Sequence, residues 1–270
     1  MNFELYNNIN SRFKAQFGRN IDILNPVTFN EKLHRLNLVE QYEKLSEYTD
    51  KISAKDIVSN TIGEEYIIPT LGIYNTPSEV PFSKLLSQYG KFVVKCNHDS
   101  GSTHIITKNT DIQKTIHSLN DSLKRNYFLV HGESNYKNIK PKVMVEPFLD
   151  CGKLDYKFFC FDGEPKFFFI VSDRFSKEPT KFDYYNIDFT KIPVVWGNPN
   201  SNVKYDMPIN YDKMLDICRI LSKPFKHVRI DLYNNNGKIL FGEYTFYHDC
   251  GLAKVIPEKY DYEFGKLIKL

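Results

Sequence analysis

Hydrophobic and polar positions change their rhythm along the chain. In the N-terminal third they recur at helical spacing. Thr28 and Glu31 in "NPVTFNEKLHRLNLVEQYEKL" stand as a capping box, followed by Leu33, Leu36 and Leu45 as apolar positions. A second helix is predicted from Thr49 or Asp50 through "KISAKDIVSNTIG", ending near Gly63. "EEYIIPTLGIY" predicts a strand interrupted by Pro69 and Gly72, and "TPSEVPF" a loop into a short helix around 84–88. From Gly90 the alternation becomes that of strands: "KFVVKCN", "THIIT", a helical piece over 112–124, then "KVMVEPFL". Two aromatic runs, "DYKFFCF" and "PKFFFIVSD", meet at Asp162 and Gly163 as a tight hairpin, which must be buried on at least one face. "YDKMLDICRIL" is an amphipathic helix, with Met214, Cys218 and Leu221 at helical spacing and Leu215 beside them. The mixture predicts an α+β fold.

The last hairpin, "VRIDLYNNNGKILFGEYTF", places an acid on each arm, although strand interiors usually avoid acids. Arg229 and Asp231 share one face of their strand, as do Glu243 and Thr245. Whether the two faces coincide depends on the loop: if Asn235, Asn236 and Gly237 form a three-residue loop with Gly237 in the left-handed region, Asn234 pairs with Lys238 and Asp231 and Glu243 share a face. Two carboxylates that close repel unless a cation lies between them. Oxygen-only ligands suit Mg²⁺, which binds through carboxylates and nucleotide phosphates. Two acids solvated on a surface face would show the same pattern.

Lys95 ends the apolar strand "FVVK" and is followed by "CNHDSGSTH". A fixed ammonium is thus set beside Ser100, Gly101 and Ser102, small residues that let backbone amides approach phosphate oxygens. A lysine snorkelling from a strand end into a plain hairpin loop reads the same way. The Walker A pattern is absent. Glu146 and Pro147 interrupt an apolar strand. There a lost backbone donor leaves polar groups for a planar ligand such as adenine, or simply marks an edge strand. Asp155 at the start of the next strand is placed to bind a ribose hydroxyl, or to be solvated.

Composition narrows the classes. With 270 residues, 41% hydrophobic and 26% charged, the chain has length for a real core. A net charge of +3 gives no reason to expect a nucleic-acid partner. Five cysteines without CxxC spacing, and no recognisable secretory segment, lead us to expect reduced thiols and a cytoplasmic location. No apolar run is long enough to span a bilayer, so membrane association is expected only as peripheral.

Taken in order, these pieces resemble the ATP-grasp superfamily of carboxylate–amine ligases, and most nearly its TupA-like group, named after teichuronopeptide biosynthesis. The resemblance runs over about 49–251 and takes in "NPVTFNEKL". It implies an ATP-grasp fold with a pre-grasp region (1–89), a small subdomain carrying the phosphate loop (90–140) and a large one carrying the metal-binding hairpin (141–270). It further implies ATP and Mg²⁺ as cofactors. Lys95 would contact the ATP phosphates under the loop Ser100–Gly101–Ser102, and Lys51, in "TDKISAK", would reach the nucleotide from the start of the pre-grasp helix. Glu146 is implied near the adenine amino group, Leu149 under the base and Asp155 at the ribose. Asp231 and Glu243 are implied as metal ligands, with Thr245 where many relatives have Asn. Arg229 would face the acyl phosphate, and the Gly251 amide would help to hold the reacting oxygen. The implied reaction makes an acyl phosphate from a substrate carboxylate, which an amine then attacks. The group's setting implies a uronic acid of a surface polysaccharide and an amino acid or amino alcohol, with peripheral membrane contact if the substrate is lipid-linked. The rival readings are an ATP-dependent sugar phosphotransferase or glycosyl-transfer enzyme, and a non-catalytic nucleotide-binding module. For the acceptor, Arg174 is singled out from His98, Tyr184, Tyr185, Lys191 and His248, because "VSDRF" leaves a strand toward the expected active face and a guanidinium suits an anion.

Overall fold

Helical periodicity in the N-terminal third is realised as α1 (Phe3–Phe17), α2 (Phe29–Leu38), α3 (Leu45–Thr49) and α4 (Ser53–Ile62). The computed structural model describes residues 3–39, 44–149, 154–174, 178–235 and 237–270. The start of α2 is chemical: the Thr28 hydroxyl accepts from the Glu31 amide at 3.2 Å, and the Glu31 carboxylate accepts from the Thr28 amide at 3.1 Å. Gly63 closes α4 with a φ of 113°. The strand predicted in "EEYIIPTLGIY" shrinks to β1 (Gly72–Tyr74). Residues Glu64–Tyr66 form a 3-10 turn, and Ile67 makes a lone bridge to Phe241. Pro69 interrupts the run.

Next come α5 (Phe82–Tyr89), β2 (Phe92–Cys96), β3 (His104–Ile106), α6 (Ile112–Lys124), α7 (Tyr127–His131) and β4 (Val143–Pro147). The remainder is β5 (Asp155–Phe161), β6 (Glu164–Ser172), β7 (Lys181–Asn186), β8 (Val195–Trp196), α8 (Tyr211–Ser222), β9 (His227–Asn235), β10 (Lys238–Thr245), β11 (Val255–Ile256) and α9 (Lys259–Gly265). The β5–β6 turn uses Asp162 and Gly163, both at positive φ, as a two-residue hairpin requires.

Two antiparallel sheets carry the architecture. The smaller runs β1-β4-β2-β3 and the larger β10-β9-β5-β6-β7. Boundaries at 89/90 and 140/141 cut through the smaller sheet, which takes β1 from before the first and β4 from beyond the second.

In the larger sheet, Phe158, Phe168 and Ile230 face α8, which packs on β5, β6 and β9. On the opposite face, Phe159 and Phe167 are covered by Phe29 of α2, Trp196 and Phe264 of α9. Each such fully buried ring stabilises the fold by roughly 1.5–3 kcal/mol. The Asp261 carboxylate joins the two covering helices by accepting from the Asn30 amide at 3.1 Å and its side chain at 3.0 Å. Helices thus dry one end of this face. The other end is polar.

His227 sits inside the dry end, stacked on Phe161 and donating from Nδ1 to the Cys160 carbonyl at 3.0 Å. Burial pushes it down to about 3 from the ordinary value near 6.5. The unfolded chain therefore takes up a proton that the folded core refuses. This contribution to stability is complete above the ordinary value and is lost as the pH falls toward 3. His227→Gln should flatten the pH dependence of the unfolding free energy between pH 6 and 4 by up to about 1.4 kcal/mol per pH unit, read by urea titration. Identical slopes in both proteins would mean that the imidazole is charged in the fold.

Candidate active site

Asp231 and Glu243 stand directly opposite each other on β9 and β10, and Arg229 stands opposite Thr245. The route to this register differs from the three-residue loop expected. Asn235, not Asn234, pairs with Lys238, a register that would send Asp231 and Glu243 to opposite faces. A bulge at Gly242 takes up one residue between Phe241 and Glu243 and brings the acids back together. A Cβ at position 242 would come to 3.1 Å from both the Asp231 carbonyl oxygen and the Tyr233 ring, so glycine suits the bulge. Asn236 lies outside the described residues.

Arg229 grips Asp231 with two prongs, Nε to Oδ1 at 2.7 Å and Nη2 to Oδ2 at 2.8 Å. Two further N–H groups go to His248 Nδ1 at 2.7 Å and Thr245 Oγ1 at 2.8 Å. Because His248 Nδ1 accepts, this imidazole is neutral and carries its proton on Nε2. Lys157, opposite Asp231 on the neighbouring β5, makes an ion pair with Oδ2. Asp231 is 3% exposed. Burial works to neutralise it, but Arg229 and then Lys157 outweigh burial and hold it at about 2. Glu243 differs: it is 38% exposed, with an oxygen 3.7 Å from Arg229 Nη2. Asp155, two residues before Lys157, accepts from Arg174 Nη1 at 3.0 Å, and burial raises its pKa.

A second cluster gathers at the smaller sheet. Glu146 on β4 is nearly buried between two ammonium groups, Lys55 Nζ at 2.5 Å and Lys95 Nζ at 2.6 Å. Burial favours its neutral form, yet Lys95 and Lys55 lower its pKa. The carboxylate that the resemblance puts near adenine is thus held between two lysines. Lys55 comes from α4, one helical turn beyond Lys51, and also donates to the Ile68 carbonyl at 2.8 Å. Lys51 donates to the Asp99 carbonyl oxygen, while the Asp99 carboxylate accepts from the Ser102 hydroxyl. Ser102 Oγ in turn accepts from the Cys96 amide at 2.9 Å. Ser100 and Gly101 are exposed at the tip. Within this loop His98 is 4% exposed, and neither ring nitrogen has a hydrogen-bond partner among the described residues.

The structure brings Asp155, Arg229, Asp231, Glu243 and Thr245 together on the larger sheet, with Arg174 joined to Asp155 from just past β6, while Lys95 and Glu146 pair on the smaller sheet and Lys51 and Ser102 both bond Asp99 in the loop after β2. Leu149 lies partly buried just past β4. Gly251 is buried at φ 64°, its carbonyl 3.0 Å from His34 Nε2, in the turn that also holds His248 against Arg229. Among the other acceptor candidates, Tyr184 is a core residue bonded to the Trp196 carbonyl, and Lys191 pairs with Asp183 at 2.6 Å. A cavity of about 240 Å³ bordered by Leu36, Leu45, Phe225 and Tyr247 contains none of these acids.

Lys157 and Lys55 join the site without having been candidates. The trace of Lys157 in the sequence is a charge inside "DYKFFCF", at a position that alternation places on the face of Asp155. For Lys55 it is the i,i+4 spacing from Lys51.

Residues 31–269 match the TupA-like ATP-grasp family model, and the chain belongs to that family and has the ATP-grasp fold. No curated protein matches it in sequence. Among solved structures it is similar to the ATP-grasp ligase PsnB complexed with a phosphomimetic variant of its minimal precursor, Mg and ADP. That match has 12% identity, covers 89% of this chain and 66% of PsnB, and gives a TM-score of 0.49. It is also similar to the D-alanine–D-alanine ligase of Bacillus anthracis complexed with ATP, with 14% identity over 75% of this chain and 55% of that one and a TM-score of 0.44. For the Helicobacter pylori D-alanine–D-alanine ligase the figures are 12%, 73%, 54% and 0.42. The chain spans little more than half the length of these D-alanine–D-alanine ligases.

Proposed function

We propose that the chain is an ATP- and Mg²⁺-dependent ligase that converts a carboxylate to an acyl phosphate and joins it to an amine. The observation that carries this reading is the arrangement on β9 and β10: a buried arginine locked to one acid, with a second, half-open acid facing the first. Binding a nucleotide alone does not need an arginine held this firmly. The donors Asp231, Glu243 and Thr245 are all oxygen, the chemistry a hard cation requires, and the exposure of Glu243 leaves it open to one. Bound there, Mg²⁺ supplies neutralisation of the transferring phosphoryl group.

The remaining roles belong to the chain's own residues. Lys95 holds phosphates under Ser100, Gly101 and Ser102, Lys51 reaches the nucleotide, and Glu146, paired with Lys55 and Lys95, lies near the adenine amino group. Leu149 underlies the base and Asp155 takes the ribose. Arg229 fixes the acyl phosphate, the Gly251 amide faces the reacting oxygen, and Arg174 meets the substrate anion. The family's setting supports a uronic acid of a surface polysaccharide or its precursor as the carboxylate, and an amino acid or amino alcohol as the amine. No helix among the described residues is long and apolar enough to cross a membrane.

The chemistry leaves a mark. ATP gives its γ-phosphoryl group to a carboxylate oxygen, the amine displaces phosphate, and that phosphate departs with the oxygen. With ¹⁸O in the carboxylate of a uronic acid and a pool of small amines, one label should appear in inorganic phosphate alongside ADP. ADP formation with unlabelled phosphate would mean transfer to water, and a stable phosphorylated sugar transfer to a hydroxyl; either would overturn this reading.

A further inference from the structure

Outside the nucleotide site, three side chains with metal-binding chemistry converge from separate elements. They are His131 at the end of α7, Glu133 just beyond it, and Cys250 in the turn after β10. Their ligand atoms all lie within 4.8 Å of one another. Cys250 Sγ is 3.6 Å from His131 Nδ1 and 3.4 Å from Glu133 Oε2. Around a tetrahedral zinc ion with bonds of about 2.3 Å to sulfur and about 2.0–2.1 Å to nitrogen or oxygen, a sulfur lies about 3.5 Å from the other ligand atoms. The two measured edges bracket that value.

A second observation concerns Glu133. Its side chain belongs to a residue only 6% exposed, and among the described residues its carboxylate has a thiol, a weak donor, as hydrogen-bond partner. The guanidiniums that act on it are committed elsewhere, Arg12 to the His131 carbonyl at 3.1 Å and Arg229 to Asp231. Neither guanidinium bonds the Glu133 carboxylate, and a divalent ion between it, the thiol and the imidazole would give it a direct ionic partner. A cysteine nucleophile relay fits less well, because Glu133 bonds the thiol and not the imidazole.

We propose that His131, Glu133 and Cys250 form a tetrahedral site for zinc or a similar borderline divalent ion, with water as the fourth ligand. The site is distinct from the oxygen-only set at Asp231 and Glu243. Its position gives it a structural role: the ion would clamp the turn His248–Gly251, which holds His248 against Arg229, to the α7 segment. Cys250 is placed for this by its backbone, since Asp249, Cys250 and Gly251 all have positive φ.

The test uses Co²⁺ added to the full chain after chelator treatment. A near-ultraviolet sulfur-to-cobalt charge-transfer band together with intense tetrahedral visible bands is expected, saturating at one ion per chain and displaced by Zn²⁺ but not by excess Mg²⁺. Cys250→Ser should abolish the charge-transfer band, and His131→Ala and Glu133→Gln should weaken Co²⁺ binding by at least about tenfold. Lack of the band in the wild type, its persistence in Cys250→Ser, unchanged affinity in His131→Ala, or displacement by Mg²⁺ would each overturn the assignment. If Cys250→Ser does not fold, the wild-type spectrum and the partly exposed His131 variant still decide. None of these readouts depends on turnover, so the ligase reading can fail without touching this one.

Discussion

Asp231→Asn should destabilise the fold by about 3–5 kcal/mol and lower turnover by at least about 10³-fold, two losses with different physical origins. The first arises because Arg229 and Lys157 would be left facing each other in a nearly dry site, with an amide in place of the charge that neutralises them. The second arises because the charge proposed to hold the cation is lost and one of its two oxygens becomes an amide nitrogen. Lys157→Met added to Asp231→Asn separates the two. Deleting the surplus ammonium should recover part of the stability, measured by urea unfolding, while ADP release stays absent. Recovery of turnover in the double variant would show that Asp231 serves only as a structural counterion.

Lys95→Met is the second large effect, and here the structure provides its own control. Glu146 keeps Lys55 at 2.5 Å when Lys95 is lost, so no buried carboxylate is stranded. Stability should change by only about 1 kcal/mol, in the range of a typical single substitution. The ammonium proposed to position the phosphates is nevertheless gone, and kcat/KM for ATP should fall by about 10²–10³-fold. Glu146→Gln reverses the pattern: it leaves two ammonium groups 11% and 17% exposed without their shared partner. If Lys95→Met were as active as the wild type, the smaller sheet would have no place in phosphate binding.

Much of the architecture could be read before any coordinates, and the reason is locality. Capping at Thr28, the end of α4 at Gly63, the two-residue turn at Asp162 and Gly163 and the periodicity of α8 all depend on residues a few positions apart, where backbone stereochemistry and side-chain alternation act directly. Alternation alone put Arg229 with Asp231, and Glu243 with Thr245. It could not decide whether the two pairs meet, because that depends on strand register. The expected loop reached the right juxtaposition by the wrong route, and the bulge at Gly242 supplied the missing residue.

What surrounds the acids was decided only when distant strands came together. Lys157 meets Asp231 across a separation of 74 residues, and nothing near either of them in the chain announces the pair. Glu146 likewise acquires two lysines through the meeting of β4, β2 and α4, and so turns from an isolated acid into their anchor. Cys250, the bearer of the proposed second metal site, lies more than a hundred residues from Glu133. The order and spacing of motifs along the chain already contained the family and the coarse fold, because both are written in short-range pattern. Which charges neutralise one another is a property of the assembled sheets: electrostatic pairing depends on distance in space and on exclusion of water, and tertiary packing alone creates both.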